Sequence, residues 1–168
     1  MRIRKLTVTA LMTAVALGIF AAEAQIPFFP SIPGIKLGLA NVVTVFAMYL
    51  LGPGATACIV VVRVTLGCFA TGQMMAFLYS MTGGLLAFGV SAALHRFLPS
   101  NRMWVVSVFA AVVHNMGQLV VAIAVTETPA IAYYLPVLVI SGIITGAFTG
   151  FCAQFTYQRL SKNLQKYT

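Results

Sequence analysis

The chain has 168 residues, of which 61% are hydrophobic and only 7% charged, and its mean hydropathy is +1.00. Ten Lys or Arg and two acidic residues cannot cover the surface of a soluble domain of this size, and so much apolar surface would aggregate unless lipid solvated it. A soluble enzyme is excluded, and the composition predicts an all-α integral membrane protein, one domain over 1–168, folded as a single bundle of six transmembrane helices.

The first span is expected over 6–25. Its start, Arg2-Ile3-Arg4-Lys5 before an apolar run and Ala22-Glu23-Ala24, has the outline of a cleavable signal. Removal would leave an odd number of spans and put the basic tails on opposite sides, so it is read as a retained helix. In Ile26–Gly34, Pro27, Pro30 and Pro33 forbid a continuous helix, and Phe28 and Phe29 suit an interfacial or re-entrant loop. A second helix is predicted over 35–51. Gly52-Pro53-Gly54 then breaks the chain, a third helix covers 55–70, and Thr71-Gly72-Gln73 makes a turn. The fourth helix is expected over 74–97, softened by Gly83-Gly84. The polar loop 95–102 leads to the fifth, 103–125, and Thr126–Pro129 turns into the sixth, 131–157.

With six spans, one side of the membrane receives Arg2, Arg4, Lys5, Arg96, Arg102, Arg159, Lys162 and Lys166, whereas the other has Lys36 and Glu127. The positive-inside rule then places both termini in the cytoplasm, with the cell membrane as the expected location. The net charge of +8 gathers at the ends of apolar segments and not on a stripe. It is read as topology signals and contacts with lipid headgroups, with no nucleic-acid partner. Cys58, Cys68 and Cys152 all fall in apolar segments without metal or disulfide spacing, and are expected to be small buried hydrophobes.

An ionisable side chain at the centre of a membrane helix costs about 2.5–3.5 kcal/mol or more, so each needs a partner or a purpose. Arg63 lies near the middle of the third helix. Two readings stand: a structural Arg capped by Glu23 or helix carbonyls, or an anion-binding Arg in an internal pocket. Lys36, beside Pro33-Gly34 and followed by Asn41, is read as part of a pocket rim. Glu23, at the outer end of the first helix, neutralises Lys36 or Arg63 or binds an amine on a ligand. His114, Asn115 and Gln118 share one side of the fifth helix, because spacings of three and four residues are neighbours on a helix. They either tie helices together or line a binding site. A lone His without a second ligand at metal spacing predicts no metal.

Ala10, Ala14, Gly18 and Ala22 form a stripe of small side chains that would let another helix approach closely, inside the bundle or on a partner. Gly142, Gly146 and Gly150 repeat the pattern on the sixth helix, where internal contact is expected. No Walker A sequence is present, and the two distant acids cannot hold a Mg²⁺-diphosphate. No cofactor is expected.

Ile35-Lys36-Leu37-Gly38-Leu39-Ala40-Asn41-Val42-Val43-Thr44, Arg63, Tyr79-Ser80-Met81-Thr82-Gly83-Gly84-Leu85 and His114-Asn115-Met116-Gly117-Gln118 resemble the Gx transporter family. Its members are often labelled heptaprenyl diphosphate synthase component I. Tyr133-Tyr134-Leu135-Pro136 and Ser141-Gly142 extend the resemblance over nearly the whole chain. That family is similar in size and six-helix plan to the substrate-binding S components of energy-coupling-factor (ECF) transporters. The resemblance implies an S-component-like fold, a ligand site near the outer face under loop 26–34, and a first-helix stripe that docks on a membrane scaffold coupled to two ATPases. Ala10, Ala14 and Gly18 stand where that stripe would be.

The expected function is therefore the substrate-binding subunit of an ATP-powered uptake transporter. Its solute would be small and anionic or vitamin- or cofactor-like, held by Glu23, Lys36, Asn41, Arg63, Tyr79, His114, Asn115 and Gln118. The synthase label fits poorly as catalysis, since prenyl elongation uses paired acidic motifs with Mg²⁺; no enzyme activity is expected. Two alternatives remain: a non-catalytic membrane partner of isoprenoid or quinone metabolism that binds a prenyl diphosphate, and a structural membrane subunit of a redox complex.

Overall fold

The structure is a computed structural model that describes residues 2–25, 38–72 and 74–165. Among these, six α-helices follow one another: α1 (Arg2–Glu23), α2 (Asn41–Leu51), α3 (Pro53–Thr71), α4 (Met74–Leu94), α5 (Met103–Thr126) and α6 (Leu135–Gln165). Short 3₁₀ turns at Ser100–Arg102 and Pro129–Tyr134 lead into α5 and α6. All but α2 are long and apolar enough to cross a membrane. The protein is an all-α bundle of the multi-pass membrane type.

The breakers act where their chemistry requires. Gly52 takes a φ of +83° and Pro53 opens α3, where its missing N–H costs nothing. Gly72, at a φ of +67°, turns its N–H back onto the carbonyls of Cys68 and Phe69 and ends α3. By contrast, α4 runs unbroken through Gly83-Gly84, so these glycines do not soften it. It stops at Leu94, three residues before the expected end, and the turn at 95–98 leads to Pro99, whose ring disfavours helix in the residue before it. The start of the sixth span is 3₁₀, and α6 proper begins at Leu135 with Pro136 in its first turn.

The largest departure is α2. Its described part spans 11 residues, about 16 Å of helix against a hydrocarbon core of about 30 Å. The helix starts at Asn41 and not at 35. Before it, Gly38 adopts a φ of +76°, and the N–H groups of Asn41, Val42 and Val43 bond to the carbonyls of Gly38, Leu39 and Ala40. Residues 35–37, with Lys36, lie outside the described residues, as does the proline-rich loop 26–34. The short helix therefore delivers its first residue, a polar one, directly into the interior.

Helix α5 is the hub, lying between α4 and α6. Its contact with α6 is close because of three glycines. A Cβ on Gly146 would stand 2.7 Å from the Cα of Val108, and one on Gly150 would stand 2.5 Å from the Cα of Trp104. Gly142 meets Asn115 and Val112 in the same way, so this stripe is used internally, as expected. Near the end of the bundle that carries the N-terminus, the Tyr49 hydroxyl donates to the Leu98 carbonyl at 2.8 Å. Its ring stands edge-on to His95 and to Tyr157. The cysteines divide: Cys68 is buried, but Cys58 and Cys152 are exposed on the outer surface, where lipid solvates a thiol as readily as a protein core does. The expectation of three buried cysteines holds for one. Because Gly150 meets backbone and not a flexible tip, Gly150→Ala should lower stability by about 1–3 kcal/mol, read as a drop in thermal midpoint in detergent. Gly89→Ala, with nothing within 4 Å of the new methyl, should leave the midpoint unchanged.

Candidate functional site

Five helices and one turn bring polar groups together where α2 begins. Arg63, from the middle of α3, is 2% exposed and donates from Nη2 to Asn41 Oδ1 at 3.0 Å. Glu23, at the end of α1, is equally buried. Its Oε1 accepts the backbone N–H of Gly38, and its carboxylate interacts electrostatically with Arg63. His114 and Gln118, one turn apart on α5, bond to each other through their Nε2 atoms at 3.1 Å. Ser80, from α4, completes the ring of buried polar groups.

Glu23, Arg63, Ser80 and His114 line one cavity, whose wall is completed by Phe20, Gly38, Ala40 and Val64. It has about 10 Å³ of usable space, room for about one water-sized group. Glycines make the approach possible. A Cβ on Gly38 would lie 2.8 Å from Asn41 Nδ2 and 3.0 Å from His114 Cδ2, and its φ of +76° favours glycine independently. A Cβ on Gly83 would lie 2.9 Å from His114 Nδ1, and Gly67 leaves room for the ring of Phe20, which a Cβ would meet at 2.4 Å.

The guanidinium is only partly satisfied. Among the described residues, Arg63 Nε and Nη1, Asn41 Nδ2 and the Ser80 hydroxyl are buried without a hydrogen-bond partner. Buried donors normally find partners, and a charged one left unmet is costly. A site of this kind holds a ligand that supplies acceptors.

The residues singled out from the sequence separate into groups. Glu23, Arg63 and His114 line the cavity, with Asn41 bonded to Arg63 and Gln118 to His114 just behind the wall. Lys36, Phe28 and Phe29 lie outside the described residues. Asn115 turns away from the cavity and donates to the Leu138 carbonyl at 2.9 Å, tying α5 to α6. Tyr79 is buried in an apolar cluster with Leu119, Ala122 and Leu138, whereas its neighbour Ser80 faces the cavity. Trp104 stands at the outer surface, stacked on Phe151. Ser80, Gly38 and Phe20 escaped the sequence reading as wall residues. For Ser80 the sequence carries no signal: it is one hydroxyl beside a tyrosine on a helix that is apolar all round, and only the structure shows that Gly83, three residues on, faces His114. Ala10, Ala14, Gly18 and Ala22 are all exposed along one face of α1, and nothing stands within 4 Å of a Cβ placed on Gly18. The interior of the bundle does not use that stripe.

No group of three or more His, Cys, Asp or Glu side chains able to hold a metal occurs among the described residues. No curated protein and no solved structure matches the chain. The family model described as heptaprenyl diphosphate synthase component I matches residues 12–156, a stretch that begins within α1, ends within α6 and includes every residue of the cavity. The chain belongs to the heptaprenyl diphosphate synthase component I family.

Proposed function

We propose that this protein is a non-catalytic, substrate-binding membrane subunit of the S-component kind, which captures a small anionic or vitamin- or cofactor-like solute for an ATP-powered uptake system. The observation that carries this reading is Arg63: a guanidinium in the middle of a membrane helix, 2% exposed, with two nitrogens unpartnered beside a cavity. A purely structural arginine at such depth would be expected to saturate its donors with carbonyls or carboxylates, because each unmet one weakens the fold. Gly38 and Gly83 support the same reading by letting His114 pack up against the turn and α4 at the edge of the cavity.

Energy for uptake would come from other chains. The exposed stripe Ala10, Ala14, Gly18 and Ala22 suits a scaffold helix, with two ATPase chains coupled to that scaffold. The proposed orientation has both termini in the cytoplasm of a cell-membrane protein, with Glu23 and the turn at Gly38 toward the outside. The family's description favours a second reading, in which the same Arg63 holds the headgroup of a prenyl diphosphate beside a soluble synthase chain.

Arg63→Ala should leave a folded, monodisperse protein that no longer binds its solute, read by thermal shift with solutes extracted from the native membrane. If Arg63→Ala instead fails to fold while the wild type shows no solute-dependent shift, the arginine is structural and the proposal falls. Ala14→Leu with Gly18→Leu should abolish co-purification of a scaffold and paired ATPases from native membranes while solute binding stays intact. Recovery of a soluble prenyl synthase chain in their place would select the second reading.

A further inference from the structure

The sequence holds two acidic residues, and both stand away from the end of the bundle where its basic residues gather. Glu23 closes α1 beside Arg63, and Glu127 caps the far end of α5. The opposite end is formed by the start of α1, the connection between α4 and α5, and the end of α6. It carries Arg4, Lys5, Arg96, Arg102 and Arg159, all exposed. No acidic side chain of the sequence lies there, so its counter-charge is supplied from outside the chain.

Within that end, the connection 95–102 is held in one shape. The N–H groups of Phe97 and Leu98 bond to the Leu94 carbonyl at 3.0 and 2.9 Å, and the Arg102 N–H bonds to the Pro99 carbonyl at 2.9 Å. Tyr49, from α2, fastens the Leu98 carbonyl. Tyr157 stands edge-on to Tyr49, which brings the end of α6, with Arg159 two residues further on, to the same corner. In this fixed loop Phe97 points out of the bundle: it is 82% exposed, between the exposed Arg96 and Arg102. Trp104, exposed two residues after Arg102 and stacked on Phe151, marks the level at which the helices leave the hydrocarbon. A large ring held outward beside cations is unfavourable in water but suits the headgroup region, where acyl carbons and phosphates lie within a few ångströms of each other.

We infer that the connection 95–102 is a binding site for an anionic phospholipid, with Arg96 and Arg102 on its phosphate oxygens and Phe97 against the upper carbons of its acyl chains. The paired N–H bonds of a guanidinium match two oxygens of a phosphodiester. A zwitterionic headgroup brings an ammonium that this basic end repels, so charge complementarity selects a headgroup of net negative charge. Lipid is favoured over an acidic protein because Phe97 and Trp104 place the loop at the membrane surface, beside the lipid-facing sides of α4 and α5. The site lies at the end of the bundle away from Glu23 and stands independently of the solute-binding reading.

The test is native mass spectrometry of the protein released from nanodiscs of mixed phosphatidylcholine and phosphatidylglycerol, counting the lipids retained. The wild type should retain phosphatidylglycerol in preference to phosphatidylcholine. Arg96→Gln with Arg102→Gln should cut that preference about tenfold or more. Arg4→Gln with Lys5→Gln removes the same charge from the start of α1 and should leave most of the preference in place. Phe97→Ser should weaken retention with no change of charge, and it serves if the double arginine variant does not fold, because the ring supports nothing inside the bundle. Equal retention of the two lipids by the wild type would overturn the proposal and leave the loop to an acidic protein. An undiminished preference in Arg96→Gln with Arg102→Gln, or in Phe97→Ser, would overturn it as well. An equal loss in the two double variants would replace the site with a diffuse basic field.

Discussion

A positive charge in the middle of a membrane helix is the constraint around which the rest of the bundle is arranged. Water cannot solvate Arg63, and lipid offers it nothing, so the protein must surround it with polar groups drawn from other helices. Asn41, the first residue of an unusually short helix, supplies an acceptor. Glu23, the last residue of α1, supplies the opposing charge and also holds the Gly38 N–H, which fastens the turn before α2. The short second helix thus follows from the arginine: a helix running to full depth would carry Asn41 within it as an ordinary turn residue, flanked by a continuous ladder. Starting it inside the bundle places Asn41 and the turn of Gly38 at the arginine's level.

The polar set could not assemble without glycine. Gly38 and Gly83 each stand where a methyl group would collide with His114, and Gly67 stands where one would collide with Phe20. On the far side of α5, Gly142, Gly146 and Gly150 let α6 settle backbone to backbone. Without an aqueous hydrophobic effect between membrane helices, such close contact is the main source of cohesion. The same residue type therefore serves both sides of α5: it lets α6 pack on the α5 backbone and lets the His114 ring lie against α4 and the turn at Gly38. Asn115 and His114, adjacent in sequence, face these two sides, one tying α5 to α6 and the other lining the cavity.

What was readable in the sequence follows from how locally each feature is encoded. Six helices are read from hydropathy, and their ends from Gly52-Pro53 and Gly72, because these depend on the backbone alone. Arg63 announces itself because charge is so rare in apolar runs, and His114 with Gln118 because residues four apart share a helix face. The rotation of α4 was not readable: with hydrophobic residues all round a helix, nothing marks which side is inward, so Tyr79 was chosen and Ser80 passed over. The purpose of Gly83 was equally hidden, since a glycine's clearance is defined by a neighbour that only the tertiary structure supplies. Cys58 and Cys152 show the same limit in reverse, because lipid and protein core select alike for a small apolar thiol.

The account turns on whether the arginine's remaining donors belong to a solute. An experimental structure of the protein purified with its native lipids, at a resolution that separates side chains around Arg63, tests this most directly. The account predicts density for a small solute at hydrogen-bond distance, about 2.7–3.2 Å, from the edge of the guanidinium that Asn41 leaves open. Density showing instead that Glu23 or backbone carbonyls saturate every N–H of Arg63, with no solute in the cavity, would contradict it.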